Sequence, residues 1–326
     1  MILCTRRRPE ALSRCLASLQ QLRYPDVSIL VIENDVASTE AEVIAISYDA
    51  EYRLCTRQGL SAARNFGVRL SSSELLAFID DDATCEPDWL VSAASLFADP
   101  LVQAVTGTIE FHSGMEPLHV FDPGDHTVNR STPDWFGMAN FGGLGLGSNF
   151  IVRRSAFDLV GGFDERLGRG APLHSSEEND FLFRVIDAGY SVATCSESVV
   201  RHPSDVSAAE RDIFRSISAS TVMVAMLAVE HPRHIFKLAR YLLGAVTRKP
   251  QSWRERPTQL FDGIASRWTI YSALLAGPFM YLDVSLRHAI HGTPHHAETT
   301  TPSLVSIAAR ANPVDVPESG LRTHIS

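Results

Sequence analysis

The chain has 326 residues, 45% of them hydrophobic and 21% charged, an ordinary globular balance that suits one large domain or a domain with an appendage. Its formal net charge of -9 excludes nucleic acid as the main partner, because a phosphate backbone calls for a basic footprint. The five cysteines (Cys4, Cys15, Cys55, Cys85, Cys195) are odd in number and show no zinc-ligand spacing, which points to a reduced, intracellular compartment.

The chain opens on "MILCT", the back half of a strand, followed by three arginines and Pro9. No apolar core of a secretory leader follows them. "RPEALSRCLASLQQL" places Leu12, Cys15, Leu16 and Leu19 at helical spacing, with Pro9 suited to a first turn. "VSILVIEND" is a continuous apolar run ending in polar residues, as a buried parallel strand does. "YRLCTR" predicts a short strand, "GLSAARNFGVRL" a helix, "LLAFID" a second buried strand and "PDWLVSAASLFA" another helix. This alternation predicts an α/β sheet covered on both faces, in which ligands collect at the carboxyl ends of the strands.

Residues 112–147 read as irregular, rich in Gly, Pro and His, and a loop of that length is usually functional or mobile. "GSNFIVRRSAF" returns to a strand, "SSEENDFLFRVIDAGY" opens a helix, and "SVATCSESVVRH" predicts a last short strand pair. From about Ser207 to His291 the pattern is helical. The tail from 292 is polar and rich in Pro, Thr and Ser, and is expected to be mostly disordered. The expected division is 1–205, 206–291 and 292–326. No segment has the roughly 18 apolar residues of a spanning helix; "WTIYSALLAGPFMYL" is too short and contains Gly-Pro. His231 to Arg256 carries seven Lys/Arg against one Glu, which points to an anionic membrane surface or a phosphate-bearing acceptor, or equally to a solvated helical face.

Asp80, Asp81 and Asp82 stand together at a strand end, where like charges repel and each is costly to desolvate, so a positive partner is expected. If the extended backbone persists, Asp80 and Asp82 point the same way, and such hard oxygens suit Mg²⁺ or Mn²⁺. Glu33 and Asp35 end an earlier strand and can accept hydrogen bonds from a base or ribose, or simply form an Asx turn. Arg64 and Asn65 lie near a helix start, where a guanidinium fork can meet phosphate or base oxygens. Glu177 and Glu178 open a helix, and Ser175-Ser176-Glu177-Glu178 also reads as a capping box. His202 follows a strand and precedes a proline.

In order, "CTRRRPEALSRCLASL", "VIENDVAS", "GLSAARNFGV", "FIDDDA", "GSNFIVRRSAFDLVGGFDERLG", "EENDFLFRVIDAGY" and "VVRH" resemble the family-2 glycosyltransferases of the GT-A fold, particularly bacterial members with a helical C-terminal extension. The resemblance covers roughly Met1 to His202 and implies a Rossmann-like mixed sheet with helices on both faces. It implies an inverting transfer of sugar from a nucleotide-diphosphate sugar to an acceptor hydroxyl. Glu178 falls where the family has its general base. Thr5, Glu33, Asp35, Arg64, Asn65, Asp80 and Asp81 fall on the nucleotide-sugar side, and Asp82, His202 and Asp80 on the side of an Mg²⁺ or Mn²⁺ ion. Glu replaces the family's usual Asp at both 33 and 178. The "GGLGLG" region is not a dinucleotide fingerprint, since neither a preceding strand nor the later acidic residue is present. By resemblance it is a flexible acceptor loop.

The implied setting is cell-envelope polysaccharide synthesis in the cytoplasm, peripheral to the inner face of the plasma membrane through 231–256, with a glycan or lipid-linked acceptor. A nucleotidyltransferase and a non-catalytic carbohydrate-binding derivative of the fold are the two rivals. The first would show a Gly-rich phosphate loop near the first strand, where this chain has "TRRRPEA", and the intact Asp80, Asp82 and Glu178 weigh against the second.

Overall fold

The computed structural model describes residues 1–114, 116–204, 209–247 and 267–291. The first half alternates β1 (Ile2–Thr5), α1 (Pro9–Leu19), β2 (Leu30–Asn34), α2 (Thr39–Ser47), β3 (Glu51–Cys55), α3 (Leu60–Leu70) and β4 (Leu75–Asp80). The four strands are parallel in the order β3–β2–β1–β4. Then come β5 (Thr84–Cys85), α4 (Trp89–Ala94), β6 (Val102–Ser113), β7 (Glu116–Phe121), β8 (His126–Val128), α5 (Trp135–Asn140), β9 (Phe150–Arg153), α6 (Arg154–Val160), α7 (Glu177–Asp187) and β10 (Ser191–Pro203). Here the sheet becomes mixed: β9 runs antiparallel between β4 and β6, β6 pairs parallel with β10, and β5 closes the edge.

The strands read as continuous apolar runs because both faces are buried. Ile2 and Cys4, Ile32, Leu76 and Phe78, and Phe150 and Val152 point to one core. Met1 and Leu3, Val31, Ala77 and Ile79, and Ile151 point to the other. The second face takes Leu12, Cys15, Leu16 and Leu19 of α1 and Trp89, Leu90 and Ala93 of α4. The first takes α3, α5 and α7, with Phe181 and Phe183 among its largest side chains.

Two stretches differ from their sequence reading. Residues 112–147 hold β7, β8 and α5 rather than a long irregular loop. β7 is almost wholly exposed and contains Pro117, which demotes a short run to an edge strand or a loop when read from sequence. "SVATCSESVVRH" is one long strand, not a pair; its register against β6 slips between Cys195 and Val199, and the bulge hides the continuity. Asn149 closes the resulting gap. Its amide donates to the carbonyls of Thr108 (2.9 Å) and Ser198 (2.7 Å), and its oxygen accepts from the Trp89 indole (2.8 Å).

A third cluster joins the helical extension to the sheet domain. Val222, Met223 and Met226 of α8 (Ala209–Glu230) and Tyr281 of α10 (Arg267–His291) pack on Leu167 and Leu173. Arg166 pairs with Glu230 at 2.8 Å, and Glu230 also accepts from the Tyr281 hydroxyl at 2.9 Å. Gly277 lets α10 approach α8 closely: a Cβ there would lie 1.9 Å from the Thr221 hydroxyl. Between them runs α9 (Ile235–Thr247). Among the described residues no helix is long and apolar enough to cross a membrane. Arg248, Lys249, Arg254 and Arg256 of the basic stretch, and the tail from 292, lie outside the described residues.

Replacing Asn149 by Leu strands three buried polar groups, each worth about 1–3 kcal/mol when unsatisfied. Urea unfolding should show Asn149→Leu destabilised by about 3 kcal/mol or more. A midpoint equal to wild type would show that the amide does not close the bulge.

Candidate active site

The strand ends form one acidic rim. β4 stops at Asp80, and a turn bonds the Ala83 amide to the Asp80 carbonyl at 3.1 Å. Asp80 and Asp82 therefore converge by a turn, not by the pleat of a continuing strand. His202, near the end of β10, meets both: its Nε2 lies 3.6 Å from Asp80 and 3.3 Å from Asp82. Its Nδ1 lies 2.6 Å from the carbonyl of Pro203, which can only accept, so Nδ1 carries a proton. Nε2 is left facing two carboxylates, an arrangement that calls for a second proton or a cation. His202 is held above its ordinary pKa by Asp80 and Asp82 against the opposing effect of burial. Asp80, half-buried, is held down to about 2 by His202 and Arg64 against the opposing effect of desolvation. One atom from each of Asp80, Asp82 and His202 lies within 4.8 Å of the others, and two carboxylates with one imidazole fit Mn²⁺ or Mg²⁺.

Asp81 turns the other way. It accepts from the Thr5 hydroxyl at 2.8 Å and from Arg8 at 3.0 Å, and burial pushes it up to about 6. The same Arg8 nitrogen reaches Asp82 at 2.6 Å. The β1–α1 turn thus answers these acids with two arginine side chains and one backbone amide. Arg6 pairs with Asp35 at 2.6 Å, and the Arg7 amide donates to Glu33 at 3.1 Å. Glu33 is fully buried; its second oxygen has no hydrogen-bond partner, and burial pushes the carboxyl up to about 7. Asn34, which sequence reading passed over, clamps the start of α3 by donating to the Arg57 carbonyl (2.7 Å) and accepting from the Gly59 amide (2.9 Å).

Arg64 lies inside the protein with its side chain 3% exposed. It donates to Glu177 at 3.0 Å, to the Gly147 carbonyl at 3.0 Å and to Asp80 at 3.4 Å, while its guanidinium lies over the rings of Phe78 and Phe163. Asn65 does not join the rim. Its amide binds the carbonyl of Phe163 and Glu165, and its oxygen accepts from the Phe163 amide. The Gly-rich loop beside Arg64 is packed rather than free. Gly145 has φ +143°, and a Cβ there would lie 2.4 Å from that of Thr106. Gly145 serves close approach to β6, and Gly147 close approach to the Arg64 guanidinium.

Glu178 sits half-buried beside Glu177 in the first turn of α7. Burial and the Glu177 carboxylate push it up to about 8. The capping-box alternative has no support here: Ser176 precedes the helix in a left-handed conformation and its side chain makes no capping bond. Arg7, Asp35, His174 and Ser176 all have positive φ without being glycine. Such strained positions gather at functional sites.

Residues 1–158 match the family model described as glycosyl transferase family 2. That match covers 158 of the 326 residues. The succinoglycan biosynthesis protein ExoM of Rhizobium meliloti is 29% identical over 210 residues, 61% of this chain and 65% of its own length. Glycosyltransferase AglE of Haloferax volcanii is 27% identical over 251 residues, 74% of this chain and 78% of its own. The chain thus spans just under two thirds of the first of these relatives. A mannosyltransferase from Pyrobaculum calidifontis, solved with GDP-Man and Mn²⁺, superposes with TM-score 0.54 at 16% identity over 86% of both chains. S. aureus TarS 1-349, solved with UDP-GlcNAc, gives 0.51 at 15% over 89% of this chain and 90% of its own. These structures share the GT-A fold with this chain.

Breaking a buried ion pair from one side typically costs about 3–5 kcal/mol, whereas an apolar replacement of both partners costs little. Arg64→Leu should destabilise on that scale, and the Arg64→Leu/Glu177→Leu pair should be more stable than either single variant. Strict additivity of the two changes in urea unfolding would show that the pair is uncoupled.

Proposed function

We propose that the chain is an inverting, metal-assisted glycosyltransferase that moves a sugar from a nucleotide-diphosphate sugar to an acceptor hydroxyl on a glycan, polysaccharide or lipid-linked glycan. One observation carries this reading. Arg64 joins Glu177, the neighbour of Glu178, to Asp80 of the Asp80–Asp82–His202 cluster. A raised-pKa carboxylate and a cation site are thereby fixed in a single buried frame. The relatives' printed names, succinoglycan biosynthesis and O-antigen chain rhamnosyltransferase, favour a saccharide acceptor. We assign 1–205 to the catalytic domain and 206–291 to the extension.

In this reading Glu178 takes the proton of the acceptor hydroxyl. The freed oxygen bonds to the anomeric carbon from the face opposite the diphosphate. The bond from that carbon to the phosphate oxygen breaks, and the nucleoside diphosphate leaves with its electron pair, so the configuration inverts. An ordinary glutamate, with a pKa near 4.3, is a weak base. Burial beside Glu177 makes Glu178 a stronger one. Arg64 takes Glu177 as its own partner, so the proton falls to Glu178. Asp80, Asp82 and His202 would hold Mg²⁺ or Mn²⁺, which neutralises charge on the departing diphosphate. Glu33 would face the base with its unpaired oxygen, and Thr5, Asp35 and Asp81 would line the nucleotide side.

Glu178→Gln should lower kcat by roughly 10²–10⁴-fold with little change in donor binding. In wild type, kcat should rise with pH on a limb well above the ordinary glutamate range, since only the deprotonated carboxylate is a base and its pKa is raised. The variant should lack that limb. Glu177→Gln should chiefly lose stability, because it strips Arg64 of its buried partner. A steep fall in kcat for Glu177→Gln, with Glu178→Gln near wild type, would place the base one residue earlier.

A further inference from the structure

The C-terminal helices expose an apolar surface that the sheet domain does not use. α9 buries Leu238 and stacks Tyr241 on Phe141, ring centres 4.4 Å apart. On its opposite side Phe236, Arg240 and Leu243 fall at i, i+4 and i+7, one helical face. Phe236 is 85% exposed, the most of any large apolar side chain among the described residues. An isolated exposed leucine is ordinary, but two large apolar groups aligned on one face are not.

The charge around this face is specific. α9 contains no acidic residue, although the chain as a whole carries -9. At its root, Arg130, Arg233 and His234 gather on a single buried carboxylate, Asp187. Lys237 lies 4.5 Å over the Trp135 ring and Arg240 adds to the same end. His234 is held below its ordinary pKa by burial and adds no charge, but Arg130, Arg233, Lys237 and Arg240 still outnumber Asp187 and the Asp134 that opens α5, so a positive surplus borders the exposed Phe236. The exposed stripe on α10 (Leu275, Phe279, Leu282, Leu286) has no such surplus: its flanking Arg287 is paired with Asp283 at 2.9 Å.

We propose that the outward face of α9 docks on an anionic lipid surface, with Phe236 and Leu243 entering the interface and Arg240 meeting the lipid phosphates. α9 is a 13-residue helix with an apolar face flanked by basic residues, which lies on a bilayer and does not span it. Each basic residue near such a surface adds electrostatic attraction that salt screens, and apolar burial adds to that. This deepens the membrane contact first read from the basic stretch, by naming the helical face and its apolar anchors. It does not rest on the glycosyltransferase reading. Where the acceptor is lipid-linked, docking of α9 brings the catalytic domain to the plane that holds it.

The test is sedimentation of the full chain with phosphatidylcholine vesicles, with and without about 30 mol% phosphatidylglycerol. The chain should bind the anionic vesicles, release them in high salt, and bind neutral vesicles weakly. Phe236→Asp/Leu243→Asp should weaken binding to anionic vesicles by about tenfold or more. Its melting temperature should be unchanged, since both side chains are exposed. Three results would overturn the proposal: wild type that ignores anionic vesicles, a double variant that binds as wild type does, or a dimer in solution that the double variant dissociates. The last would assign the face to a second copy of the chain. No nucleotide enters the assay, so its outcome is separate from that of the kcat measurements.

Discussion

The guanidinium of Arg64 is the contact on which the candidate site depends. A fully buried cation is tolerable only if acceptors surround it, and Arg64 has Glu177, Asp80 and the Gly147 carbonyl. Those three come from the first turn of α7, the end of β4 and the Gly-rich loop before β9. A single side chain therefore fixes the separation between the helix that carries Glu178 and the strand end that carries Asp80. Phe78 and Phe163 close over it and keep water out, which strengthens each of its bonds.

Three adjacent aspartates raise the question of what positive group they await, and part of the answer is internal. Asp80 has Arg64 and His202, Asp81 has Arg8 and Thr5, and Asp82 has Arg8 and His202. The three carboxyls are chemically alike but electrostatically distinct. Asp80 is held at about 2 by its cations, while Asp81 rises to about 6 because burial outweighs its partners. Only the side shared by Asp80, Asp82 and His202 combines acidic oxygens with an imidazole nitrogen that its backbone bond turns toward them. That is where a divalent cation fits.

Much of this was legible in the sequence because burial on both faces writes itself as apolar runs. β4 was bounded exactly as "LLAFID", and α3 began one residue inside "GLSAARNFGVRL". The strand-end acids followed from the rule that α/β sheets gather ligands there. What stayed illegible depends on tertiary partners. Nothing local to "TRRRPEA" shows that Arg6 answers Asp35, the Arg7 amide Glu33, and Arg8 both Asp81 and Asp82. Nothing in "GSNF" shows that Asn149 bridges a bulge 49 residues away. β7 escaped because a short exposed strand with a proline reads as a loop, and Arg64 looked like a surface fork because its burial comes from Phe163, far along the chain. The Gly-rich loop looked mobile because its glycines, read locally, signal freedom; here they permit contact with Thr106.

The central claim is that the rim of β1, β2, β4 and β10 is a site for a nucleoside diphosphate with a divalent cation. Titration calorimetry of the full chain against UDP, GDP, CDP and dTDP, each with Mn²⁺ and again with EDTA, tests it most directly. The account predicts that at least one of them binds with Mn²⁺ and binds about tenfold or more weakly in EDTA, and that Asp82→Asn removes the difference. Equal binding with and without the cation, or no binding of any nucleotide in either condition, would contradict it.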